Sequence, residues 1–287
     1  MKLKGLTTFK VLGVVLLAGS LLSVWPGCKD GSTDSAAAGR NRSQALRPVA
    51  LEALPVGASS TINQPLSGSV WKSAQWSTLA PTQSNQPGDV QTRVAAAFSS
   101  TDLYLAIIAT GPYHGDRAAA RDNLWRHDCT EIWLDTSKEQ NGTNFFELVV
   151  SPSGRTHGVW HRSSTPPTPS IGGVPDLNHP YGLIPWKIAG LKITIGTGSS
   201  DGQVVTTTVV KIPMAGLPKQ LQFRGKVGGR FRINVLRYLW NATSSGHRRL
   251  AQYNLFPVPL ESQAFAPYLM GRLALISSND VGIALRH

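Results

Sequence analysis

NLWRHDCTEIWLDTSKEQNGTNFFELVV, residues 123–150, is the stretch from which the fold can be read. Two runs that alternate apolar and polar residues flank a polar turn containing Asn141 and Gly142, which predicts a β-hairpin. Alternation places Cys129, Glu131, Trp133 and Asp135 on one face of the first strand, and Thr130, Ile132 and Leu134 on the other. Acidic groups thus share a face with an indole. Trp125 stands just ahead of the strand, in a loop where packing has less need of a large flat ring. A ring and a carboxylate beside a sheet suit a sugar, because the ring covers the C–H side of a pyranose while charged groups bond its hydroxyls.

Around this hairpin the chain repeats the same pattern. Strands are expected at 90–98 and 103–109, at 154–162 with Trp160, and at 191–195 and 204–212, where Pro213 stops the run. Further strands are expected at 230–238, 250–256 and 271–276. The 28 glycines, 19 prolines and 15% charged residues fit a turn-rich β protein. The expected fold is all-β, a two-layer antiparallel β-sandwich of about nine strands. Trp71 and Trp76 read as anchors of an N-terminal segment lying on that sandwich. Residues 165–185 hold six prolines and read as one long loop.

The N-terminus has a different character. Lys2, Lys4 and Lys10 precede an apolar run from Val11 to Val24, shorter than the ~20 residues of a membrane span, so residues 1–28 read as an export signal. Residues 29–60 are rich in Ser, Ala, Gly and Arg and are expected to be a flexible linker; residues 277–287 are a C-terminal tail. The chain has two cysteines, Cys28 and Cys129, and Cys129 is expected to be a buried, inert thiol. A net charge of +12 suits an anionic glycan or envelope surface. It does not indicate nucleic acid, because the Arg and Lys residues are scattered between strands with no basic helical face.

WPGC, residues 25–28, resembles a bacterial lipoprotein cleavage box. The resemblance implies Cys28 as the lipidation site and a protein of the bacterial cell envelope, lipid-anchored to a membrane, on the periplasmic side or surface-exposed. The folded part, residues 61–276, resembles the family 9 carbohydrate-binding modules. VWKSAQW, LYLAII, LWRHDCTEIWLD, FFELVVSPSG, RINVLR and FAPYLMGRLAL carry that likeness, in this order. It implies a module that binds oligo- or polysaccharide without cleaving it, with a structural calcium and, as companion, a glycan-degrading enzyme or envelope protein. The first sugar-stacking tryptophan of the family falls on Trp125, and its hydroxyl-bonding acid falls on Glu131. The second tryptophan falls on Ala264, beside Phe265, and an arginine of sugar-binding members is replaced by Glu147.

Other readings of the same residues are open at this point. Glu131 and Glu147 face one another if the turn is centred near residues 139 and 140, with Arg232, Arg237 or a calcium ion supplying positive charge. Such a pair also suits a glycoside hydrolase, whose carboxylates lie about 5 to 9.5 Å apart, although no catalytic loop signature accompanies it. Asp128 and Asp135 are candidate calcium ligands. His114, His127, His157 and His161 read as solvated residues rather than a metal cluster. Met214 and Met270 read as packing, so no haem is expected. A sandwich that has lost sugar binding and contacts another protein is the remaining alternative.

Overall fold

The computed structural model describes residues 50–57, 62, 68–81, 90–111, 124, 127–164, 182–243, 246–256 and 270–277. Cys28, Trp125, His114 and Phe265 lie outside them. The central hairpin forms as expected: β6 (Cys129–Asp135) pairs antiparallel with β7 (Asn144–Val150). Strand β7 pairs on its other side with β8 (Thr156–Arg162), which pairs with β9 (Gly182–Pro185). Strand β12 (Arg230–Thr243) flanks β6, and β14 (Gly271–Leu275) flanks β12. These six strands make one layer.

The facing layer runs β10 (Lys192–Ser200), β11 (Gln203–Pro213), β5 (Asp102–Thr110) and β4 (Thr92–Phe98), all antiparallel. Between the layers lies one apolar core. Leu105, Ile107 and Val210 reach it from this side, and Ile132, Leu134, Phe146, Leu148 and Val235 from the other. Burying that surface is the main driving force for a sheet to fold onto itself. The two faces read from the alternation of β6 are therefore the observed ones.

One strand joins the layers. β1 (Ala50–Pro55) lies between β4 and β14 and is parallel to both, so the two layers are one curled mixed sheet. This corrects two expectations. The sandwich is not purely antiparallel, and Ala50–Pro55, within the stretch expected to be linker, is a strand of the sheet. Short strands β2 (Ser77–Thr78) and β3 (Ala80–Pro81) attach to β4 and to β13 (Gly246–Asn254), itself the antiparallel partner of β12. β9 lies inside the stretch expected to be one long loop.

The N-terminal tryptophans pack as expected. Trp71, in the short helix Ser69–Ser73, is buried and its indole N–H donates to the Ile62 carbonyl at 3.1 Å. Trp76 donates to the Trp71 carbonyl, and both rest on Leu54, Ala95 and Tyr104, on the outside of the β4–β5 layer. Gly158 in β8 has to be glycine, because a Cβ there would overlap the Trp186 carbonyl and the Phe146 ring.

Candidate functional site

The outer face of the layer that contains β6 and β7 carries the hairpin residues singled out by the sequence. The register sets Trp133 opposite Glu147 and Glu131 opposite Val149, so the two carboxylates are diagonal neighbours and not directly opposed. This corrects the expectation. The pairing is centred one residue further along, where Gln140 at φ 44° and Gly142 at φ 78° supply the left-handed turn conformations. Asp135 holds that turn. One carboxylate oxygen accepts from the Ser137 N–H at 3.0 Å and hydroxyl at 2.5 Å, and the other accepts from the Gly142 N–H at 3.3 Å.

Above the strands stand three rings. Trp133 stacks on Phe145 with centroids 5.4 Å apart, and Phe145 stacks on His161 at 4.2 Å and 10°. Nε2 of His161 lies 2.6 Å from an Oε of Glu147. Cys129, Val149, Leu236 and Tyr238 surround them, and Leu124 and Met270 close the cluster. His161, expected to be solvated, is 4% exposed, because the register sets it across from Phe145 and its ring packs there. His161, and neither candidate arginine, faces Glu147. Arg232 is paired with Asp135 and donates to the Gln140 carbonyl at 2.9 Å, while Arg237 turns into the space between the layers. Phe145 and His161 were missed by sequence reasoning, although counting the β7–β8 register from the Gly154 turn pairs them.

The acids are set below this surface. Glu131 is 3% exposed, although alternation predicts an acid presented to solvent; the neighbouring rings shield it. Trp133 is fully buried. Trp125 directly follows Leu124, and Phe265 precedes Met270 by five residues, so the two expected sugar-contacting rings border in sequence on two members of one cluster. Met214 packs in the main core, as expected, and Cys129 is a buried thiol.

Asp128 and Asp135 stand at opposite ends of β6, roughly 20 Å apart at the rise of a strand, and cannot share one ion. Asp135 does not fit calcium, since the groups turned toward it are N–H and O–H donors, whereas calcium takes six to eight oxygen ligands. An oxygen of Asp128 accepts from the Trp240 N–H at 2.6 Å. Among the described residues no three His, Cys, Asp or Glu side chains converge as a metal site.

Burial raises the pKa of Asp135 above the usual carboxylate range, against the opposing effects of its Ser137 and Gly142 hydrogen bonds and of Arg232. A carboxyl whose folded pKa is raised adds stability that is fully present below the unfolded value and is lost as pH rises through the folded one. Asp135→Asn, which cannot titrate, should therefore lie further below the parent in stability at about pH 3 than at about pH 7. Urea unfolding at both values measures this, and an equal deficit at both would refute it.

With the geometry in hand, the class is that of a β-sandwich with the fold of family 9 carbohydrate-binding modules. No protein-family model matches the chain, and no curated protein is similar to it in sequence. Solved structures do match. A putative carbohydrate-binding protein from Bacteroides uniformis aligns over 79% of this chain and 99% of its own, with a TM-score of 0.56 and 11% identity. A family 9 carbohydrate-binding module from Caldicellulosiruptor kristjanssonii, solved in complex with cellotriose, aligns over 79% and 94%, with a TM-score of 0.50 and 14% identity.

Proposed function

We propose that this protein binds oligo- or polysaccharide without cleaving it, on the outer face of β6, β7 and β12. The observation that carries the reading is the match of nearly the whole folded part to a module solved with cellotriose. In this reading Trp125 stacks on a sugar ring and Phe265 forms the opposite wall. Glu131 accepts hydrogen bonds from hydroxyls at the floor, and Glu147, fixed by His161, holds the adjacent wall. Phe145, stacked between Trp133 and His161, holds the His161 ring against Glu147.

Trp125→Ala should weaken binding of cello-oligosaccharides by about 1–2 kcal/mol, five- to thirtyfold, while the melting temperature moves by less than about 2 °C. Titration calorimetry with and without calcium reads both the affinity and any dependence on that ion. A parent that binds no saccharide, together with a large loss of stability in the variant, would leave a sandwich that contacts another protein instead.

The reading extends to location. Cys28 carries a lipid, and the module works at the bacterial cell envelope, periplasmic or surface-exposed, beside a glycan-degrading enzyme or envelope protein. Two acyl chains give stable membrane binding where one does not, so Cys28→Ser should move the protein from the membrane to the soluble fraction. Fractionation with unchanged partition would remove the anchor from this account.

A further inference from the structure

A concavity lies outside the aromatic cluster. Strand β8 and the segment from Pro185 to Leu191 border an open cleft of about 560 Å³, within the size range of small-molecule sites. Arg155, His157 and Lys187 line it, brought together from two separate parts of the chain, and no carboxylate lines it among the described residues. Trp186, Ile188 and Leu191 give it an apolar side. Trp186 is fixed by its indole N–H, which donates to the Gly216 carbonyl at 2.9 Å, and by its edge-on contact with Trp160 at 6.1 Å. The close approach of Gly158 to the Trp186 carbonyl sets the shape of the cleft.

We infer that this cleft is an anion subsite for an acidic saccharide, one carrying a carboxylate or sulfate on its ring. Arg155 and Lys187 take the anionic group, since charge-assisted hydrogen bonds from Arg and Lys are the strong ones, and His157 lies beside them. The apolar side receives the C–H face of the same ring. The chain's net charge of +12 draws such ligands from a distance. The inference rests on the carbohydrate reading above for the ring, and on Arg155 and Lys187 for the charge.

The test uses the 287-residue chain and the double variant Arg155→Gln with Lys187→Gln, after checking that both melt at the same temperature. Each is titrated with a uronate-containing oligosaccharide, with its neutral counterpart and with inorganic sulfate. The parent should prefer the uronate by about tenfold or more and lose that preference as salt is raised; the variant should prefer it by less than about twofold. Neutral oligosaccharide should bind the two alike. Equal binding of uronate and neutral sugar by the parent, or a preference that survives in the variant, overturns the subsite and leaves the carbohydrate reading standing. Sulfate bound by the parent but no saccharide of either kind overturns the carbohydrate reading, and with it the acidic saccharide as ligand. No binding of any probe overturns both.

Discussion

Trp133→Ala is expected to lower stability by about 3–5 kcal/mol, the usual cost of removing a buried indole. The ring has no exposed surface, it stacks on Phe145 at 5.4 Å, and it sits at the centre of the cluster that covers the outer face of the layer. Its loss opens a cavity that neighbouring strands, fixed by hydrogen bonds on both sides of β6, cannot collapse to fill. For a domain of this size the loss corresponds to a fall in melting temperature of roughly 6–20 °C. Trp133→Phe keeps part of the stacking and should lose less than half as much. A melting temperature within about 2 °C of the parent for Trp133→Ala would mean that the outer face is not a core. The proposed sugar site would then lack its rigid support.

The second large effect lies between the layers. Arg237 projects from β12 across the core and donates to the Thr92 hydroxyl at 3.0 Å, the Thr110 carbonyl at 2.8 Å and the Gln91 carbonyl at 3.4 Å, all on the facing layer. Burial lowers the pKa of this guanidinium, and the charges of Asp128 and Tyr253 act in the opposite sense. Asp128 is 2% exposed. Arg237→Ala removes the positive charge that acts on this buried acid and the donor to the Thr92 hydroxyl and the Thr110 carbonyl, which should cost about 3–5 kcal/mol, the scale for removing one partner of a buried charged pair. Arg237→Lys keeps the charge and loses the planar fork, so it should recover only part of the stability. Urea unfolding of the three proteins decides the point. If the lysine variant matched the parent, a point charge would suffice and the three-way bridge would be irrelevant.

Much of this architecture could be read from the chain because half-buried strands alternate. Each strand expected from the sequence is present, and the two faces of β6 divide as the alternation requires. β1 could not be found in this way. Leu51 and Ala53 enter the main core while Leu54 enters the Trp71 cluster on the opposite side, and even Glu52 is 6% exposed, so the strand is covered on both faces and does not alternate. β9 was hidden among prolines and is an edge strand, where proline is tolerated. Within the site, the acids and Trp133 were legible as a shared face, but their depth was not. Burial of Glu131 and His161 depends on which rings from neighbouring strands close over them, and a shift of one residue in the turn decides which groups meet.

The position of β1 also bears on the timing of folding. Its parallel partner β14, aligned from Ala50 with Arg272, comes more than 200 residues later in sequence, so the sheet stays open at its middle until that strand has been made. Contacts this distant in sequence form slowly. The seam between the two layers is therefore among the last parts of this fold to shut.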